Sequence, residues 1–199
     1  MKAHDPLTGL PSRRSFFLAL ELQATEAQVS GAPLSVLVVD MDGFEAFMDD
    51  VDGDAGNRAL VTVGKILRLA VGARGVLARL EGDQFGVMFK HGDLEMARAR
   101  ADELRAAIEL HFAQQGSALT ATVGAACGPH GAGWTGEQLL MLAGQRCKES
   151  KLSGVNRVAA AGHPGLPLAD VHRWPSSGAA PAASTESLPS PQSRQLSLF

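Results

Sequence analysis

One short segment constrains the fold more than any other: the run Leu34-Ser-Val-Leu-Val-Val39, which ends on Asp40-Met41-Asp42. A continuous apolar run of this length reads as a strand buried on both faces, so helices must cover the sheet on each side. Asp40 and Asp42 are then expected to emerge at the solvent end of that strand. A second run, Arg79-Leu-Glu81-Gly82-Asp83-Gln84-Phe85-Gly-Val-Met-Phe89, reads as a hairpin. Gly82-Asp83 falls where the chain must turn, which would leave the Asp83 carboxylate exposed at the tip. If the two strands are neighbours, oxygens of Asp40 and Asp83 can share one Mg²⁺, an ion that prefers hard oxygen ligands completed by substrate phosphates.

The rest of the first 160 residues supplies the covering helices. Ser12 can cap a helix to about Val29, with Phe16, Phe17, Leu20 and Ala24 on one face and Gly31 closing it. A second helix fits Ala55 to Ala70, with Ala59, Leu60, Val63, Ile66 and Leu67 at helical spacing. Asp93 caps a helix through Gln114 that buries Met96, Leu104, Ile108 and Phe112; Leu119 to Cys127 alternates as a strand. Glu137 to Ser150 reads as the last long helix and Val155 to Ala160 as a closing strand. Strands interleaved with helices, including one tight hairpin, predict an α/β domain with a mixed sheet.

Several function classes fall away on composition. The net charge of −3 leaves no basic excess for binding a nucleic-acid backbone, so direct sequence-specific DNA recognition is not expected. No apolar run is long enough to span a bilayer and no signal-peptide pattern opens the chain, so a cytoplasmic protein is expected. Cys127 and Cys147 have no CxxC spacing and read as buried free thiols. Asp50, Asp52 and Asp54 mimic the start of a calcium loop, but Ala55 and Val61 stand where its Gly and Glu are required. From Gly162 onward the chain is rich in Pro, Ser and Ala, with six of its ten prolines, and is expected to be a disordered tail. The organisation expected is a domain over 1–161, a linker over 162–194 and a terminal peptide over 195–199.

Four segments of the domain, in order, resemble the GGDEF family, the diguanylate cyclases. Asp5-Pro-Leu-Thr-Gly-Leu-Pro-Ser-Arg-Arg14 is similar to the family's D-x-LTGL-x-NRR, and Asp40-Met-Asp42-Gly-Phe44 to its D-x-D-x-F-K. Arg79 to Phe85 resembles R-x-GGDEF, and Lys151-Leu-Ser-Gly-Val-Asn-Arg-Val158 resembles K-x-x-G-R-N-R-V. The resemblance implies an adenylyl-cyclase-like palm fold in which two GTP-loaded copies meet as a homodimer and form cyclic di-GMP. It implies Asp40, the Met41 carbonyl and Asp83 as Mg²⁺ ligands, Asp42 as the second acidic position and Lys151 on the triphosphate. Read from the residues, with Val155 where the family has an Arg, Lys151 with Asn156 and Arg157 is expected rather to cap a helix C-terminus.

Other positions depart from the family pattern. Met48 stands where an Asn reads guanine and Asn57 where an Asp does, so hydrogen bonds to the base are lost. Glu45 replaces a Lys, Glu81 the first Gly of the signature and Gln84 its catalytic Glu. Gly72 and Gly75 occupy the ends of the regulatory R-x-x-D, and no sensory or dimerising module is expected ahead of the domain. The final pentapeptide, Gln195-Leu196-Ser197-Leu198-Phe199, is similar to the bacterial sliding-clamp binding motif, with Leu198 and Phe199 as apolar anchors and Gln195 at the rim. The reading that follows is a nucleotide- or metal-binding adaptor impaired in synthesis and recruited to the replication clamp. The alternative is a divergent cyclase that converts two GTP to cyclic di-GMP with Mg²⁺, or acts on another nucleotide.

Overall fold

The computed structural model describes residues 3–50, 53–128 and 133–162. Its elements run α1 (Arg13–Ser30), β1 (Leu34–Asp42), α2 (Phe44–Asp50), α3 (Gly53–Val71), a 3₁₀ turn (Gly72–Arg74), β2 (Gly75–Glu81), β3 (Gln84–Lys90), α4 (Leu94–Gln114), β4 (Thr120–Gly128), α5 (Gly136–Ser153) and β5 (Val158–Gly162). The expected α/β architecture with a mixed sheet is observed. The five strands lie in the order β2-β3-β1-β4-β5; the first four are antiparallel and β5 pairs with β4 in parallel.

Local chemistry sets the helix ends. Ser12 accepts from the Ser15 amide at the start of α1, and Gly31 ends it in the left-handed region at φ 70°. Asp93 caps α4 through the Met96 amide, and Thr135 with Gln138 forms a capping box on α5. Alternation along β1 then builds two cores. Leu37, Val39 and Met41 pack against α3 and α4, while Leu34, Val36 and Val38 pack against α1 and α5. The even-numbered face of β1 therefore continues, past Val38, into Asp40 and Asp42 on the side that α5 covers.

Three elements depart from the sequence expectations. Phe44–Asp50 is a separate short helix, α2, which its seven acid-rich residues did not signal. Strand β5 begins at Val158, three residues late, because Gly154 and Asn156 take positive φ values of 139° and 55° and make a turn of the expected strand start. β4 is buried on both faces, without the expected alternation, because it lies inside the sheet between β1 and β5. Within the expected helix faces, Phe17 and Met96 are only half-buried. Cys127 and Cys147 are buried free thiols, as expected. No helix among the described residues is long and apolar enough to cross a membrane. The linker 162–194, apart from Gly162, and the terminal peptide with Gln195, Leu196, Leu198 and Phe199 lie outside the described residues.

Candidate metal and phosphate site at the Asp40 end of the sheet

Strands β1 and β3 are neighbours, and Asp40 sits directly opposite Gln84 in their register. Asp83, one residue earlier in the turn, is thereby brought beside the end of β1, and its carbonyl accepts from the Met41 amide at 3.4 Å. The hairpin tip is fixed by Arg79. Its guanidinium donates to the Gly82 carbonyl at 2.9 and 2.6 Å and to Asp5 at 3.2 Å. Asp5 is in turn held by the amide and hydroxyl of Thr8 at 2.8 and 2.7 Å. Burial opposes ionisation of Asp5, but the bonds to Thr8 and Arg79 outweigh it and lower its pKa. The two segments Asp5–Leu10 and Arg79–Gly82 thus form one clamp on the tip.

Asp83 is half-buried, which corrects the expectation of an exposed carboxylate at the tip. Burial, and secondarily the charge of Asp40, pushes its pKa up to about 6. Asp42 departs further from expectation. It is buried, with its side chain 4 % exposed, and serves as a hub for the surrounding backbone. Thr120 and Thr122 donate to its two oxygens at 2.8 and 2.7 Å, and the Asn156 amide donates at 2.8 Å. Asn156 extends the network: its amide group donates to Glu109 at 2.7 Å and accepts from Arg105 at 2.8 Å. Neither threonine nor the Arg105–Glu109 pair was singled out in the sequence. Thr120 and Thr122, two apart and so on one face of a strand, were the available signal.

Lys151 projects from the last turn of α5 across the end of β1. Its ammonium bonds Asp40 Oδ1 and the Met41 carbonyl, the latter at 2.8 Å, and lies 3.4 Å from Asp42 Oδ1. A helix-capping role for this side chain is therefore not what is observed. α5 lies close enough for this reach because β4 carries Gly124, where a Cβ would run into the Ala143 carbonyl and the Cys147 amide. Burial alone would lower the Lys151 pKa, but the bond to Asp40 and the charges of Asp40 and Asp42 raise it. Cys147 beside it is pushed up to about 12, by burial and then by Asp40, and stays an inert thiol.

The positions that the sequence reading sets apart from the resemblance are also located. The Gln84 side chain donates to Asp40 Oδ2 at 2.6 Å, and its Oε1 is buried without a partner. Glu81 forms an ion pair with Arg13 at 2.9 Å. Met48, at the end of α2, lays its thioether against Gly56 of α3, where a Cβ would collide with it. Asn57 is exposed on the next residue, and Glu45 is exposed on α2.

Among the described residues no group of three or more His, Cys, Asp or Glu side chains is arranged to hold a cation unaided. The donor chemistry nevertheless fits a hard divalent ion. Lys151 bonds the Asp40 carboxylate and the Met41 carbonyl together, the Asp83 carboxylate lies near enough for the charge of Asp40 to disfavour its ionisation, and the buried Gln84 amide oxygen has no partner. Substrate phosphates would have to complete the shell.

The family profile described as "Diguanylate cyclase, GGDEF domain" matches residues 2–157. The chain is 31 % identical over 160 residues to diguanylate cyclase DgcP of Pseudomonas aeruginosa, covering 79 % of this chain and 24 % of that protein. It is 33 % identical over 105 residues to the probable diguanylate cyclase DgcT of Escherichia coli, covering 53 % and 23 %. The chain thus spans about a quarter of the length of these curated relatives. The GGDEF domain of YfiN (TpbB) from Pseudomonas aeruginosa superposes with a TM-score of 0.71 at 28 % identity, over 79 % of this chain and 94 % of that one. The diguanylate cyclase SiaD of the same organism, solved with its activator SiaC, gives 0.73 at 25 %, over 80 % and 62 %. On this fold, this profile match and these relatives, the chain belongs to the GGDEF family.

Proposed function

We propose that the domain is a divergent diguanylate cyclase, which binds GTP with Mg²⁺ at the Asp40 end of the sheet and, as two copies face to face, forms cyclic di-GMP. The observation that carries the reading is the Lys151 ammonium bonded to both Asp40 and the Met41 carbonyl, with Asp83 near enough for the charges of Asp40 and Lys151 to act on it. Asp40, Asp83 and Met41 would hold the ion; when bound, it neutralises phosphate charge and draws electrons from the phosphorus that is attacked. Lys151 supplies a flexible positive charge for the triphosphate. Asp42 keeps Lys151 and the turn at Asn156 in place and has no free oxygen to offer. Gln84, being an amide, cannot take up a proton, so synthesis is expected to be slower than with a carboxylate there.

Base choice follows from Met48 and Asn57. A thioether packed on Gly56 offers no hydrogen bond to guanine, so selectivity for GTP over other nucleoside triphosphates is reduced. The test is to incubate pure protein with each of the four nucleoside triphosphates and Mg²⁺ or Mn²⁺ and to separate the products. Cyclic di-GMP above an Asp83→Ala control supports the reading; no product with any metal refutes it.

A second reading is a nucleotide-binding adaptor without turnover, favoured by the Gln84–Asp40 bond, which replaces a second carboxylate with a neutral donor. In that reading the terminal Gln195-Leu196-Ser197-Leu198-Phe199 tethers the domain to the DNA sliding clamp, with Leu198 and Phe199 each contributing about 1.5–3 kcal/mol by burial. Micromolar clamp binding lost in a Leu198→Ala/Phe199→Ala variant supports the tether. Equal binding by both proteins rejects it.

A further inference from the structure

Lys151 makes a pattern of contacts that a phosphate-binding lysine does not need. An ammonium has three protons, and this one meets three oxygens: Asp40 Oδ1, the Met41 carbonyl at 2.8 Å and Asp42 Oδ1 at 3.4 Å. Two of them, from Asp40 and Met41, belong to the oxygen set assigned above to the divalent cation. The other oxygen of Asp40 is taken as well, by the Gln84 amide at 2.6 Å. Both oxygens of Asp40 are therefore already engaged while Lys151 and Gln84 hold these positions, and Lys151 also holds the Met41 carbonyl that the cation would use.

We propose that Lys151 is a resident stand-in for the cation: without nucleotide its ammonium occupies the metal's place on Asp40 and Met41, and the metal enters as a triphosphate draws Lys151 away. This rests on the reading of Asp40 and Met41 as the cation's ligands. A singly and a doubly charged cation on one carboxylate oxygen repel each other, the more so in a partly buried setting, so Lys151 and the metal compete for Asp40. The geometry allows the exchange. Lys151 lies on the final turn of α5, three residues before Gly154, and a quarter of its side chain reaches solvent. Its four-carbon stem can swing outward toward a phosphate while the helix stays packed on β4. Gln84 is suited to follow. Its orphaned Oε1 would face Asp40 after an amide flip, a disposition favoured only when a cation lies between them.

Two consequences follow. Metal alone binds weakly, and metal and nucleotide strengthen each other by the same factor. Second, removing Lys151 opens the metal site in the absence of nucleotide, a result opposite to that for an ordinary phosphate ligand, whose loss leaves metal affinity unchanged.

The experiment is Mn²⁺ binding to the full chain, read by electron paramagnetic resonance of the free ion, with Asp40→Ala as background. Lys151→Met is expected to bind Mn²⁺ at least tenfold more tightly than the unsubstituted protein. Lys148→Met, one turn away and exposed, removes the same charge and is expected to change affinity less than twofold. A measurement on the unsubstituted protein avoids reliance on the variant's folding. Acetylation of Lys151, followed by mass spectrometry, should accelerate on saturation with Mn²⁺ while that of Lys65 and Lys90 does not. Equal Mn²⁺ affinity for Lys151→Met and Lys148→Met, or a Lys151 acetylation rate indifferent to Mn²⁺, overturns the proposal. If Mn²⁺ still binds with a non-hydrolysable GTP analogue in that case, the functional reading stands. Absence of Mn²⁺ binding to every protein, with and without nucleotide, overturns both.

Discussion

Asp83→Asn should stabilise the metal-free protein above neutral pH, although it removes a residue central to the site. The Asp83 carboxyl is raised from 3.8 to about 6, first by burial and second by Asp40; Lys151 and Arg79 oppose the shift. Folding therefore favours the protonated acid. The benefit is complete below the unfolded-state pKa near 3.8 and is lost as pH rises through about 6. The shift corresponds to about 3 kcal/mol at most. Because part of the group meets solvent, screening reduces this to roughly 1–2 kcal/mol. In a domain of this size, that is a rise of about 3–6 °C in Tm for the variant at pH 7.5. At pH 4, where the acid is protonated in the folded protein, the gap should close. Mg²⁺ with nucleotide should raise the Tm of the parent and leave that of Asp83→Asn nearly unchanged. Thermal melts followed by circular dichroism at the two pH values decide the matter. A variant that melts at or below the parent at pH 7.5, or a gap equal at both pH values, would show that Asp83 carries no electrostatic penalty.

Other outcomes are equally specific. Arg79→Ala should lose about 1–2 kcal/mol in urea unfolding, since it removes the charged bonds to the half-buried Asp5, which keeps those from Thr8, and to the Gly82 carbonyl; a loss under 0.5 kcal/mol would reject the clamp. Asp42→Ala should cost about 2–4 kcal/mol by orphaning the Asn156 amide and the hydroxyls of Thr120 and Thr122, an effect that urea titration also reads. Gln84→Glu should destabilise the metal-free protein by about 1–2 kcal/mol through repulsion from Asp40. The same change should increase synthesis of cyclic di-GMP with Mg²⁺, and an unchanged rate would remove Gln84 from the chemistry.

The sequence disclosed those features whose cause is local. The apolar run before Asp40, the turn at Gly82-Asp83 and the caps Ser12 and Asp93 each depend on neighbours within a few residues, and all four are where they were expected. Helix α2 was hidden because Phe44–Asp50 is short and is held by packing on the neighbouring α3. Strand β5 was misplaced because Asn156 adopts a left-handed conformation that its bonds to Asp42, Glu109 and Arg105 enforce from afar. The burial of Asp42 has the same origin. Its partners Thr120 and Thr122 lie 78 and 80 residues away, so only the β1–β4 register explains why a strand-end carboxylate is inside. Lys151 was named as a phosphate ligand by resemblance, but its bond to Asp40, across 111 residues, follows only from α5 lying on Gly124.

The central claim is that Asp40 and Asp83 form one site for a divalent cation and a nucleoside triphosphate. Isothermal titration of the full chain with a non-hydrolysable GTP analogue, with and without Mg²⁺, tests it most directly. Saturable binding that requires Mg²⁺ and weakens at least tenfold in both Asp40→Ala and Asp83→Ala is predicted. Binding indifferent to Mg²⁺, or retained in both variants, would contradict the account.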